Sequence, residues 1–346
     1  MKIGLGLSGS QLNDDILTFA KQIGAGCIML HMADPIDSFT GNDGYWSFDD
    51  LKSLVKRVET HGLKLEALEN FQPAHWHEIL LGTGTRQRQM DNLKRTIENM
   101  GRAGIPVMGY FFSVAGPQGR KSLPVSRGGA VVPVYNQSEA EDFDTPLPHG
   151  YAWARQIIEN PPPGDQGFVS EEAVWERLDY FLGQILPVAE EFNVQLAAHP
   201  ENPPIPLMRQ TARPLISIEQ YDRMFSHHNS IKNMVQYCLA TFSQMPFGPE
   251  YVYRATEHFA EINKISYVHF SNSRGQIPLF QEEFADTGDV DMVRILKILY
   301  KHGYTGMLVP NHMPGINAQN SGESSSVYAI GYIRGLIQAL DIAIDE

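Results

Sequence analysis

Eight times along the chain, a short β-rich apolar run is followed by a longer segment whose apolar residues recur at helical spacing. No other feature constrains the fold as strongly, because successive parallel strands need a crossover helix between them. The eight runs are Lys2 to Leu7, Cys27 to Leu30, Lys64 to Glu69, Val107 to Tyr110, Gln195 to His199, Met234 to Cys238, Ile265 to Phe270 and Met307 to Pro310. Helices are predicted between them, for example Phe48 to His61 after Ser47, Glu171 to Phe192 after Ser170, and Asp289 to His302 before Gly303. A hydroxyl side chain caps the first free N–H groups of a helix, and glycine ends one. Eight units in unbroken order predict an α/β fold, a closed (β/α)8 TIM barrel, in place of an open doubly wound sheet. Residues 1–346 are read as one such domain, since barrels carry insertions without dividing.

Residues 113–169 break the rhythm. They carry Gly116, Pro117, Gly128, Gly129, Pro146, Pro148 and the run Pro161 to Gly164, with little periodicity, and are predicted to form a long insertion after the fourth strand. It leaves the C-terminal end of a barrel strand, where barrel active sites are built, so it is expected to be a lid or a subunit-contact arm.

Charge excludes some partners. A formal charge of −13 opposes nucleic acid and anionic membrane, both of which require clustered Lys and Arg. No run reaches the ~18 apolar residues of a membrane-spanning helix. Two cysteines, Cys27 and Cys238, are too few for a disulfide framework, and the sequence opens on a strand without a secretory pattern, so a cytoplasmic location is expected. A small-molecule substrate and a homo-oligomer, a dimer by general prevalence, complete the expectation.

The chemistry should lie at the C-terminal strand ends. The fifth run ends at His199, the sixth at Cys238, the seventh near His269, and the eighth runs into Asn311 and His312. A single imidazole there is usually a hydrogen-bonded core residue, and a free cysteine usually a small hydrophobe. His, Cys and His on successive strands point instead to a divalent metal, since neighbouring ends converge and imidazole, thiolate and an oxygen donor suit zinc, manganese or iron. Glu69 ends the third run and is either an acid or base at the rim or an ion-paired carboxylate. Arg86 and Arg88, ahead of a long helix, are either an anion clamp or a solvated helix start. His75, His77, His227 and His228 are read as surface residues, His75 being the one most in need of inspection.

With these residues in view, the chain resembles the mannonate dehydratases, metal-dependent barrels of the xylose isomerase-like group. The resemblance spans nearly the whole chain. It is carried by Leu81 through Thr85, Arg86 and Arg88 to Asn99, Gly101, Ala103, Gly104 and Ile105; by His199 to Pro204; by Gly288 to Met292; and by His269 with Asn272, Tyr332 and Gly335. It implies manganese, with zinc or iron as alternatives, held at His199, Cys238, His269 and Asn311. The family has an aspartate at the last position, so the neutral Asn311 amide is a departure that removes a charge. A family arginine is also missing from Pro310, Asn311, His312, Met313, Pro314. A family histidine is absent around Phe284, Ala285 and Asp286, and a family tyrosine aligns with Ser324.

The implied reaction is loss of water from a sugar acid, D-mannonate or a relative, to give a 2-keto-3-deoxy acid. It needs a metal to hold the acid and its neighbouring hydroxyl, a base for the α-proton and an acid for the departing hydroxyl. His312 is assigned the base and Glu69 a catalytic place at the rim, with Arg86, Arg88 and Asn272 as substrate contacts. Two alternatives stand beside it: a metal-dependent sugar isomerase or epimerase, and a non-catalytic sugar-binding barrel.

Overall fold

Each apolar run becomes a strand because its outward residues meet the helical layer while its inward residues fill the barrel. The computed structural model describes all residues except 35, 37, 38, 40–43, 141–143, 318–320 and 346, so residues 141–143 of the insertion lie outside the described residues. The strands are β1 (Lys2–Ser8), β2 (Cys27–His31), β3 (Lys64–Glu69), β4 (Val107–Tyr110), β5 (Gln195–Ala198), β6 (Asn233–Cys238), β7 (Ile265–His269) and β8 (Met307–Val309). They pair in parallel in sequence order, and β8 closes on β1 through Lys2 opposite Met307, so the barrel is complete. The predicted runs match these strands to within a residue or two at each end.

The helices are α1 (Asp14–Gln22), α2 (Phe48–Thr60), α3 (Pro73–Leu81), α4 (Arg86–Ala103), α5 (Glu171–Glu191), α6 (Ile218–His227), α7 (Leu239–Gln244), α8 (Pro249–Glu261), α9 (Met292–Lys301) and α10 (Ser321–Ala339). Ser47 and Ser170 cap α2 and α5 as expected, accepting from the backbone N–H groups of Asp50 and Ala173. The helix predicted from Asp289 starts three residues later. Asp291 is its cap, accepting from Val293 and Arg294, while Asp289 accepts from the Gly275 backbone. Among the described residues no helix is long and apolar enough to cross a membrane.

Two apolar clusters result. The larger lies between strands and helices and includes Leu196, Val235 and Leu308, all fully buried; each such side chain contributes about 1.5–3 kcal/mol. The smaller fills the barrel: Cys27, Met29, Ala67, Val107, Ala197, Tyr267, Met307 and Val309. Gly109 on β4 leaves room within it, because a Cβ there would come within 2.2 Å of the Tyr267 hydroxyl.

The segment between β4 and α5 is less irregular than its composition suggests. Its strands Arg120–Leu123 and Val132–Asn136 join the hairpin Asn272–Gln276 and Leu279–Glu283, which follows β7, in one four-stranded antiparallel sheet. Val132–Asn136 lies between Arg120–Leu123 and Leu279–Glu283. The sheet was hidden in the sequence by Pro133, which strands normally exclude; it pairs with Ser122 but falls outside the register with Leu279–Glu283. Ring stacking of Tyr135 on Phe280, with centroids 5.1 Å apart, helps join insertion to hairpin. This cap sheet packs at the C-terminal end of the barrel.

Candidate metal centre

Side chains two residues apart on a strand face the same way, so the residues just beyond the apolar filling form its next layer. Met29 is followed by His31, Ala67 by Glu69, Ala197 by His199, Gln236 by Cys238, Tyr267 by His269, and Val309 by Asn311. Register brings neighbours in this layer level: His31 pairs with Glu69 and Cys238 with His269.

His199, Cys238 and His269 come together here, with one donor atom from each lying within 4.8 Å of the others. All three are buried. The His199 Nδ1 lies 2.6 Å from the Pro200 carbonyl, which only accepts, so Nδ1 carries the proton and Nε2 keeps its lone pair. Burial, reinforced by the nearby His269, lowers its pKa to about 3, so the ring is neutral as a metal ligand must be. Burial also pushes the Cys238 thiol up to about 11, against the Thr241 hydroxyl that donates to its sulfur at 3.1 Å. Two neutral imidazoles around a dry thiol make a coherent donor set for a soft or borderline divalent ion.

The orientation of His269 comes from Glu69. Its Nε2 lies 3.0 Å from Glu69 Oε2, which also accepts from the Tyr267 hydroxyl and Gln236 Nε2, each at 2.6 Å. The His31 ring meets the other oxygen at 3.1 Å. Burial opposes charge on Glu69, but His31 and then His269 outweigh it and hold the carboxyl well below its ordinary value. A carboxylate engaged by His269, Tyr267, Gln236, His31 and Asn70 is placed to orient its neighbours. Gln236 and Tyr267 were missed, although each lies two residues before a residue already noted, and so was His31, one residue past the end of the second run.

Asn311 belongs to the same cluster, with its Nδ2 2.7 Å from His269 Nδ1. Its Oδ1 accepts from the His312 backbone N–H at 2.9 Å, so the amide presents nitrogen, not oxygen, to His269. Ligation through the amide oxygen requires this amide to turn.

His312 adjoins the cluster in a left-handed backbone pose, φ 52°. Its Nδ1 lies 2.9 Å from Glu282 Oε1, which also accepts from Arg120 at 2.6 Å. Glu282 and Arg120 come from two cap strands and had no signal in the sequence. Beside His199, Trp153 of the insertion packs on Phe111, whose ring centroid is 5.4 Å from the His199 ring. After β5, the Glu201–Arg213 pair, 2.6 Å apart and fully buried, anchors the loop; burial pushes the Glu201 carboxyl up to about 7 despite the guanidinium.

Three predicted substrate contacts are placed elsewhere or are already engaged. The Arg86 guanidinium stacks on the Tyr180 ring of α5 at 4.1 Å, in the outer helical layer, and Arg88 is exposed. Aromatic packing accounts for Arg86 better than an anion clamp does. Asn272 uses its whole amide locally, donating to Ala285 and Val290 carbonyls and accepting from Ser273 and Val290, which fixes the loop ahead of α9. Ser324, aligned with the family tyrosine, is followed one turn later by Tyr328, whose ring packs on Phe284. His75 sits beside Trp46, and burial lowers its pKa to about 4.

A closed barrel with His, Cys and His donors converging at its strand ends defines a TIM barrel with a candidate metal centre. The family model for D-mannonate dehydratase (UxuA) matches residues 15–345. Mannonate dehydratase of Thermotoga maritima is 29% identical over 332 residues, covering 86% of this chain and 87% of the relative. That of Streptococcus suis strain 05ZYH33 is 29% identical over 314 residues, with 85% and 83% covered. The crystal structure of mannonate dehydratase from Streptococcus suis serotype2 superposes with a TM-score of 0.80 at 25% identity, covering 100% of this chain and 97% of that one. An L-ribulose 3-epimerase, with a TM-score of 0.59 at 16% identity, shares the fold. The chain belongs to the D-mannonate dehydratase family, whose members are metal-dependent hydro-lyases.

Proposed function

We propose that this chain removes water from D-mannonate, or a closely related sugar acid, to give the 2-keto-3-deoxy acid. The observation that carries the reading is the convergence of His199, Cys238 and His269 in a member of this family. These three residues would hold the metal, with manganese the first choice and zinc or iron the alternatives. When bound, the ion supplies Lewis-acid polarisation of the substrate oxygens.

The protein's own groups do the rest. Glu69 keeps the His269 ring in one orientation. His312 takes the α-proton; it adjoins the cluster and has a side chain capable of accepting one. The reaction is proton-neutral, since one proton leaves carbon and one joins the departing hydroxyl as water. The enol that remains tautomerises to the keto acid. A single group can therefore serve both steps. The cap sheet, seated on His312, serves as the lid that keeps bulk water from the acidified carbon. The enzyme acts in the cytoplasm as a homo-oligomer.

The test is incubation of the purified protein with D-mannonate and manganese, followed by mass spectrometry of the product. A product lighter by one water, formed repeatedly, is expected. A product of unchanged mass would replace this reading with an isomerase or epimerase, and saturable binding without turnover would replace it with a sugar-binding barrel.

A further inference from the structure

Glu282, on a cap strand, is fully buried. Oε1 accepts from Arg120 at 2.6 Å and meets His312 Nδ1 at 2.9 Å, while Oε2 has no hydrogen-bond partner among the described residues. An ionised carboxylate in such a place is costly unless paired. The carboxylate is paired by Arg120, a permanent cation that donates to Oε1 and keeps it ionised. It is therefore an acceptor, and the His312 atom facing it must carry the hydrogen.

That settles the other side of the ring. A neutral imidazole with hydrogen on Nδ1 has its lone pair on Nε2. His312 directly follows Asn311, whose amide lies 2.7 Å from His269, so the residue adjoins the donor cluster. The residue also holds a strained left-handed backbone, steadied by the bond from its N–H to Asn311 Oδ1. Glu282 acts on the side chain and Asn311 on the backbone.

We propose that Glu282 is the positioning residue of this site, fixing His312 as the Nδ1–H tautomer so that Nε2 receives the α-proton. This rests on the reading of His312 as the base. It also gives the cap a task beyond covering, because Glu282 and its partner Arg120 are both cap residues, on strands separated by Val132–Asn136.

Two experiments decide it. Nitrogen-15 NMR of histidine-labelled wild-type protein should show His312 protonated at Nδ1; hydrogen on Nε2 alone overturns the proposal whatever the enzyme turns over. In kinetics, Glu282→Leu removes the acceptor at similar volume, and Glu282→Gln keeps an acceptor oxygen. With metal content unchanged, Glu282→Leu should lower kcat about 100-fold or more while KM stays within about threefold, and Glu282→Gln should recover about tenfold of that loss. The variant His312→Gln separates this idea from the one beneath it. If His312→Gln turns over normally, the base assignment fails and the proposal with it; if it is inactive while Glu282→Leu remains near wild type, the proposal alone fails. In a His312→Gln background, Glu282→Leu should cost nothing further, and an additional loss would show that Glu282 acts by another route.

Discussion

The two cysteines lie in adjacent layers of the same barrel and have different surroundings. Cys27 sits in the apolar filling with Met29, Ala67 and Val309, and its thiol, pushed up to about 12 by burial, points a long 3.5 Å bond at the Ile3 carbonyl. Cys238 is equally buried and its thiol is also raised, yet it faces two imidazoles. Burial is common to both and so decides nothing. Layer distinguishes them: a thiol among hydrocarbon side chains is packing, and a thiol level with His199 and His269 is a candidate donor.

The largest expected effect separates these two residues directly. Cys238→Ala should bring metal, measured by elemental analysis after reconstitution, from near one per chain to background, while Cys27→Ala should leave it unchanged. Equal losses from both would end the layer argument. Glu69→Gln tests how far the donor layer depends on what orients it. It should weaken metal binding about 10- to 100-fold in a competition titration with a coloured chelator, because His269 loses its anionic partner. Unchanged affinity would return Glu69 to the list of free carboxylates. Gly109→Ala links the layers, since its Cβ would press on the Tyr267 hydroxyl and thus on Glu69. A loss of about 1–3 kcal/mol in denaturant unfolding, with weakened metal binding, is expected; a stability loss with metal affinity intact would show that the layers are independent. Asn311→Asp restores a carboxylate next to His269, and a tighter metal, by roughly tenfold, is the expected titration result. The smallest effect belongs to Arg86→Ala, which should leave KM for the sugar acid within about twofold, because its partner is the Tyr180 ring in the outer helical layer and a half-buried stacking contact of this kind contributes about 1 kcal/mol.

The barrel was legible because every strand carries its period on its surface, and the candidate donor cluster was legible because its residues lie at strand ends. His199, Cys238 and His269 needed only the rule that neighbouring ends converge. Gln236 and Tyr267 obey the same rule one step lower and were within reach. Glu282 and Arg120 were not, because their meeting with His312 depends on a sheet assembled from two loops, and these two residues are 162 positions apart in sequence. Asn272 and Arg86 show the converse limit: residues that carry a family resemblance can be retained for loop geometry or ring packing, and sequence alone does not distinguish these from contact with substrate.

Barrel enzymes ordinarily diversify one loop at a time, since each loop leaves its own strand and returns through its own helix. Here the insertion after β4 and the hairpin after β7 share a sheet, with Val134 paired to Gln281 and Tyr135 to Phe280. Neither can be shortened or exchanged without stranding the other's backbone hydrogen bonds. The two loops thus form a single heritable module: a graft that moves this specificity to another barrel has to carry both, and a drift in one selects for a matching change in the other.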